Sequence, residues 1–222
     1  MANAKEIEGF YDGYLVEKSY PYEDYRHENI DRFILSHVGK KDRVLDVGCG
    51  YGRILRKLKN REIYGCDISA KALKKAPERA RKKQVNLEGR LPYKNGFFDC
   101  VILREVIEHI VNRKGLFSEI GRVLKKNGKL ILTTPNKYST VFPVYSVIRI
   151  FAMQPVEAWP TRKEIECLAD NAGFKVVRFE SEHFFPWHSY LPDFFLPAVK
   201  KIDSFAKNAP GTRNMLFLAV KK

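Results

Sequence analysis

The chain has 222 residues, 45% of them hydrophobic and 30% charged, a composition that gives an ordinary globular domain a full core and excludes an intrinsically disordered chain. The formal net charge of +14 keeps an anionic partner, RNA or a membrane surface, under consideration. No run of about 18 apolar residues occurs, and the N-terminus lacks a basic-then-apolar pattern, so a cytoplasmic protein without a spanning helix is expected.

Strands alternate with helices along the chain. "RVLDV" (43–47) is an apolar run ending in glycines and reads as a buried strand. "YGRILRKLKN" follows as an amphipathic helix, and "EIYGCD" (62–67) as the second strand. "SAKALKKAPERARKK" (69–83) reads as a helix with Ser69 as N-cap and Pro77 as a kink or end. "QVNL" (84–87) and "FFDCVIL" (97–103) are the expected third and fourth strands. A helix through "KGLFSEIGRVLKKNG" is closed by Gly128, and "KLILTT" is the fifth strand, stopped by Pro135. "TRKEIECLADNAGF" is a capped helix ending at Gly173; "KVVRFE" and "NMLFLAVKK" close the pattern as strands six and seven. The alternation predicts a single α/β domain over 1–222, with a Rossmann-like, mostly parallel seven-stranded sheet and helices on both faces. Ligands of such sheets sit at the carboxyl ends of the strands, which directs attention to 46–52, 67–69, 86–88, 104–109 and 134–137.

The four cysteines, Cys49, Cys66, Cys100 and Cys167, show neither C-x-x-C nor zinc spacing and read as reduced residues, three of them in or beside buried strands. Twelve lysines and arginines crowd residues 53–83 against three acids. They form either an anion-binding face or, as is commoner for charge runs on helices, a solvated surface.

"VLDVGCGYG" carries the strongest chemistry. Gly48, Gly50 and Gly52 follow a buried strand and open a helix, where glycine permits a tight turn and free N–H groups meet a ligand. Asp67, nineteen residues after Gly48 and at the end of the next strand, is placed to accept from two ribose hydroxyls. The spacing is G-x-G-x-G rather than G-x-G-x-x-G, and Asp46 precedes the glycines. A carboxylate there opposes a pyrophosphate and suits an ammonium group, which favours S-adenosylmethionine over a dinucleotide.

"VLDVGCGYG", "GCDIS", "LPYKNGFFDCVI", "EVIEHI" and "LKKNGKLILTTPN" come in an order and spacing that resembles the class I S-adenosylmethionine-dependent methyltransferases, over about residues 30–180. The likeness is nearest to the broad small-molecule group that includes ubiquinone-biosynthesis O-methyltransferases. The resemblance implies that Gly48 and Gly50 line the methionyl part, that Asp67 binds the ribose, and that Asp46, Cys49, Gly52 and Leu87 are also among the cofactor-binding residues. It also implies that Ile68 packs on the adenine, that Arg104 lies under the cofactor, and that Arg26 reaches the cofactor carboxylate from an N-terminal lid (1–40). The cofactor core would then span 41–135, with substrate-side insertions at 136–160 and 181–212. Where many relatives carry an aspartate after the third strand, this chain has Asn86, whose carbonyl can still accept from the adenine amino group.

"REVIEHI" (104–110) follows the fourth strand. Read as a helix, it stacks Glu105, Glu108 and His109 on one face. Three uses are open. His109 is a general base oriented by Glu105 or Glu108; or the three are ligands of a divalent metal such as Mg²⁺, completed by His183 or His188; or the glutamates complement the helix start and His109 packs. The two insertions are greasy: Val141, Val144, Tyr145, Ile148, Phe151 and Ala152 share a helical face, and "HFFPWHSYLPDFFLP" is dense in aromatics. They suit a small apolar or aromatic acceptor, methylated at oxygen, and a peripheral membrane contact; core filling or a dimer interface are the alternatives. An RNA methyltransferase is the rival, weakened because "REVI" replaces the Asn/Asp-Pro-Pro-Tyr/Phe type of segment that holds a nucleobase amine.

Overall fold

The computed structural model describes residues 4–14, 21–139, 158–182, 193–205, 212 and 214–222. Two helices, α1 (Ala4–Tyr14) and α2 (Pro21–His37), precede β1 (Arg43–Val47), α3 (Arg53–Lys57), β2 (Glu62–Asp67), α4 (Ala70–Lys75) and β3 (Arg81–Gln84). Next come β4 (Phe98–Arg104), a 3₁₀ turn (Ile107–His109), α5 (Arg113–Val123) and β5 (Leu124–Pro135). The described chain ends with α6 (Arg162–Asn171), β6 (Phe174–Glu182), a 3₁₀ turn (Asp193–Phe195), α7 (Leu196–Phe205) and β7 (Asn214–Lys221).

The strands form one sheet in the order β3-β2-β1-β4-β5-β7-β6. β1 to β5 pair in parallel, and β7 runs antiparallel to both β5 and β6. The expected Rossmann-like sheet is therefore present. The chain starts at β1, works outward to β3, then returns to place β4 on the other side of β1. That reversal opens a crevice at the carboxyl ends of β1 and β4.

Side chains of each strand alternate between two cores. Leu45, Val47, Val101, Leu103, Leu130 and Leu132 face α5 and α6, packing on Phe117, Ile120 and Ile165. Val44, Cys100, Ile102 and Ile131 face α2 and α3, packing on Ile30, Phe33, Ile34, Ile54 and Leu55. Phe98, Phe117, Phe174 and Phe217 are fully buried, each worth about 2–3 kcal/mol of transfer free energy. Cys49, Cys66 and Cys100 are buried and Cys167 is exposed, all four as free thiols.

Three expected boundaries move. α4 ends at Lys75, before Pro77, and the third strand is Arg81–Gln84 rather than 84–87. An edge strand open to solvent needs no apolar alternation, and its positive charges guard the unpaired edge. α5 ends at Val123 and β5 begins at Leu124, because Leu124 already pairs with Phe98 across the sheet. α6 is capped by Thr161 as expected, with a reciprocal capping box between Thr161 and Glu164.

Candidate active site

The loop after β1 is fastened to β2. The N–H groups of Gly48 and Cys49 both donate to the Cys66 carbonyl, at 2.8 and 3.0 Å. The Gly50 N–H donates to Asp67 Oδ2 at 2.8 Å, and the Ser69 N–H to Asp67 Oδ1 at 2.9 Å. All three glycines have left-handed backbones, with φ of 72°, 49° and 74°. Their surroundings differ. A Cβ on Gly48 would overlap Val106, and one on Gly52 would overlap Pro77, whereas one on Gly50 would enter open space.

That space is a cavity of about 230 Å³. Gly48, Gly50, Asp67, Ile68, Asn86 and Leu87 line one side. Glu105, Val106, His109 and Ile110 line another, together with Ile7 and Tyr11 of α1. Eight of the residues singled out in the sequence thus converge on one cavity. Ile7, Tyr11, Val106 and Ile110 were not foreseen there. Their only sequence signal is apolar character, which marks core positions as readily as cavity walls. α1 is tied down by the Ser69 hydroxyl, which donates to Asp12, and by Gln84 Nε2, which donates to Glu8 at 2.8 Å.

Asp67 is 9% exposed, and burial pushes its carboxyl up against the opposing N–H groups of Ser69, Gly50 and Ile68. Asn86 Oδ1 accepts from the Glu88 N–H at 3.0 Å, so the asparagine that replaces the expected aspartate is held in a local turn with one lone pair of its carbonyl committed. Glu88 in turn accepts from the N–H groups of Val111 and Asn112, at 2.8 and 2.9 Å, and fixes the loop that follows His109.

Four expected cofactor contacts stand behind the cavity rather than on its wall. Cys49 belongs to the α2-side core, and burial pushes its thiol up. Gly52 serves close packing against Pro77 and Ala76. Asp46 lies beneath the loop, 3% exposed, and burial pushes its carboxyl up to about 7, against the pull of Arg104. Arg104 points toward α2, with Nε 3.3 Å from the buried carboxylate of Asp31. Asp31 was not foreseen; an acid inside an otherwise ordinary helix gives no sign in the sequence that it will be buried. Arg26 is on α2, and its side chain lies outside the described residues.

The 104–110 segment is not the helix the sequence suggested. Glu105 has φ of 53° and ends the strand, and only Ile107–His109 make a 3₁₀ turn. The two glutamates therefore diverge. Glu105 accepts from Thr133 Oγ1 and Asn214 Nδ2, both at 3.0 Å. Glu108, 2% exposed, accepts from Thr134 Oγ1 at 3.0 Å, and its other oxygen is 3.8 Å from His109 Nε2. The Glu108 carboxylate stands beside the imidazole. Among the described residues no three His, Cys, Asp or Glu side chains are grouped to hold a metal ion. The Mg²⁺ reading of Glu105, Glu108 and His109 finds no support among the described residues, because the strand end and 3₁₀ turn replace the helix on which the three would stack. His183, His188 and the apolar face 141–152 lie outside the described residues.

Much of the basic stretch serves the fold. Arg53 and Lys57 pair with Asp31 at 2.9 and 2.7 Å. Arg79 donates to the Leu55 and Leu58 carbonyls at the end of α3, and Arg61 to the Gly39 carbonyl. Lys82 closes α4 through the Ala76 carbonyl.

Known proteins match this architecture. Residues 45–132 match a family model described as a methyltransferase domain. An uncharacterized protein of Methanocaldococcus jannaschii is 31% identical over 92% of this chain and 94% of its own length. A ubiquinone/menaquinone biosynthesis C-methyltransferase of Pectobacterium carotovorum is 26% identical over 65% of this chain and 70% of its own. An S-adenosylmethionine-dependent methyltransferase of Thermotoga maritima has the same fold, with a TM-score of 0.72 over 97% of this chain and all of that one at 19% identity. With a Rossmann-like sheet, a glycine loop bonded to the acid that ends the next strand, and these matches, the chain belongs to the class I S-adenosylmethionine-dependent methyltransferases.

Proposed function

We propose that this enzyme methylates a small, apolar or aromatic molecule at oxygen, with His109 as the proton acceptor. The observation that carries the reading is the pairing of His109, on the cavity wall, with the buried carboxylate of Glu108. The Glu108 carboxylate, with an oxygen 3.8 Å from Nε2, is placed to orient the ring toward a hydroxyl whose proton it would take.

The chain's residues fit the cofactor. Gly48 and Gly50 would hold its methionyl part, Asp67 the ribose, and Ile68, Leu87 and Asn86 the adenine; the open space at Gly50 is room for a ligand. When bound, S-adenosylmethionine supplies a methyl group on a sulfonium, a good leaving group. The protein's work is then to orient the acceptor, exclude water and take a proton. Ile7, Tyr11, Val106 and Ile110 supply an apolar wall, which supports an apolar or aromatic acceptor over a strongly charged one. Phe194 and Phe195, exposed before α7, support a peripheral membrane contact by which such an acceptor would be delivered. The internal duties of Arg53, Lys57, Arg61, Arg79 and Lys82 leave less charge for RNA.

A second reading, methylation of an amine, draws support from Glu105, whose carboxylate lines the cavity and would attract an ammonium group. A screen with methyl-labelled S-adenosylmethionine against phenols and quinols, small amines and total RNA separates them. Label on phenols or quinols is expected. Label confined to amines selects the second reading, and label confined to RNA overturns both.

A further inference from the structure

Asp31 sits on α2, outside the strands and loops that form the cofactor cavity, and is 1% exposed. Three cations converge on it. Arg53 Nε and Lys57 Nζ lie 2.9 and 2.7 Å from Oδ2, and Arg104 Nε lies 3.3 Å from Oδ1. The first two come from α3, the helix that the glycine loop opens, and the third from the end of β4. Arg53 and Lys57 are 36% and 39% exposed and can turn to water, whereas Arg104, at 15%, cannot readily do so.

The sheet explains why Arg104 has two acids to choose between. Asp46 of β1 stands opposite Ile102 of β4, and Arg104 is two residues further along β4. Period-2 alternation puts Asp46, Ile102 and Arg104 on one face, the face covered by α2. Asp46 feels Arg104 from β4, Asp67 from β2 and Asp31 from α2. The thiols of Cys49 and Cys66, also near it, are pushed up by burial and stay neutral.

A cofactor that carries an ammonium and a sulfonium against one carboxylate is a net cation, and a negative charge beneath its loop favours it. An arginine that folded onto Asp46 would cancel that charge. We propose that Asp31 is a positioning residue of the cofactor site: it draws Arg104 toward α2, so that the charge of Asp46 beneath the glycine loop is left to attract the cationic cofactor. The proposal rests on the reading of this cavity as the S-adenosylmethionine site. It gives α2 a function besides covering the sheet, and it explains why a helix outside the cofactor fold spends a fully buried acid.

The test is calorimetric binding of S-adenosylmethionine to the purified full chain between pH 5.5 and 8.5, with no acceptor present. In the wild type, affinity rises with pH as Asp46 ionises. Asp31→Asn frees Arg104 to pair with Asp46. Affinity at pH 8 then falls about tenfold, and the midpoint of the affinity–pH curve moves to lower pH by about half a unit or more. Lys57→Gln removes a partner of Asp31 that binds the other carboxylate oxygen, Oδ2, and leaves the affinity within about twofold and the midpoint in place. An unmoved midpoint in Asp31→Asn, or an equal loss in Lys57→Gln, overturns the proposal. Should Asp31→Asn fail to fold, the double variant Asp31→Asn/Arg104→Gln removes anion and cation together. Binding equal to that of Arg104→Gln alone supports the proposal; an unfolded double variant or a further loss overturns it. Failure of the wild type and every variant alike would refute the cofactor site itself and the proposal with it, a pattern distinct from any of these.

Discussion

The Gly50 N–H donates to Asp67 at 2.8 Å, so the turn that ends β1 and the acid that ends β2 are one hydrogen-bonded unit. The same carboxylate accepts from Ser69 at the start of α4, and is therefore aimed before any ligand arrives. The three loop glycines share a left-handed backbone but answer to different neighbours, and substitutions should separate them. Gly50→Ala costs about 1–2 kcal/mol of stability for its backbone and puts a methyl group into open cavity space, so S-adenosylhomocysteine affinity falls about tenfold or more. Gly48→Ala adds an overlap with Val106 and costs about 3 kcal/mol or more. Thermal melts and calorimetry check both; equal losses of stability in the two variants would contradict the geometry.

His109 and Glu108 should behave as a pair. If His109 is the proposed proton acceptor, His109→Ala lowers kcat by about 10²–10⁴ while the S-adenosylhomocysteine Kd stays near wild type. Glu108→Gln lowers kcat less, and adds little to the loss in a His109→Ala background. Glu105→Gln shows the opposite split. Its amide would present N–H groups to the donors of Thr133 or Asn214, costing about 1–3 kcal/mol of stability, with a smaller effect on turnover. Steady-state kinetics beside urea melts for the three variants decide the matter. Full turnover in His109→Ala would remove the proton-acceptor role.

Burial of Asp46 should be visible as a pH dependence of stability. Its carboxyl titrates at about 7 in the fold against 3.8 unfolded, so the folded state holds the extra proton between those values. Stability from this group is present below about pH 4 and is lost as the pH rises through 7. The full swing is about 4 kcal/mol as an upper bound. Asp46→Asn, which stays neutral, is expected to match the wild type near pH 4 and to exceed it at pH 8, while binding S-adenosylmethionine more weakly there. Urea unfolding of both proteins at pH 4.5, 6 and 8 measures the difference, and a constant difference across that range would contradict the burial cost.

The sheet was legible because its strands announce themselves: "RVLDV", "FFDCVIL" and "KLILTT" are largely buried on both faces and therefore mostly apolar. β3 was misplaced by three residues because "RKKQ", at an open edge, buries almost nothing and so carries no pattern. The glycine-loop side of the cavity could be read from Gly48, Gly50 and Asp67, whose residue types answer to backbone shape and to the hydrogen bond between the Gly50 N–H and the Asp67 carboxylate. Glu105, Glu108 and His109 were found but misgrouped, since their spacing fixes a common face only on a helix, and Glu105 adopts a left-handed backbone that sequence does not announce in a glutamate. Asp31 and Asp12 were missed for a different reason. Each acts on residues more than twenty positions away, through contacts that only the tertiary fold creates.

Asp12 carries the last prediction. It accepts from the Ser69 hydroxyl and from the Lys71 N–H, and the first of these bonds holds its carboxyl below the usual range. Ser69 is itself the cap of α4, accepting from Ala72 at 3.0 Å, and the neighbour of Asp67 in the cavity floor. α1 is thus hooked to the start of α4, two residues from Asp67, and it presents Ile7 and Tyr11 to the cavity. Asp12→Ala cuts the hook but leaves every residue of the cavity in place. The sheet should remain intact, with global stability changed by about 1 kcal/mol, because the bond is only partly buried and lies outside the sheet. Residues 4–14 should exchange their amide hydrogens faster, since a helix of this length has little stability alone. S-adenosylhomocysteine should dissociate several-fold faster once that wall is loose. Hydrogen exchange and stopped-flow dissociation read the two effects separately. A faster exchange of α1 with an unchanged dissociation rate would mean that the helix covers the cavity without holding the ligand in it.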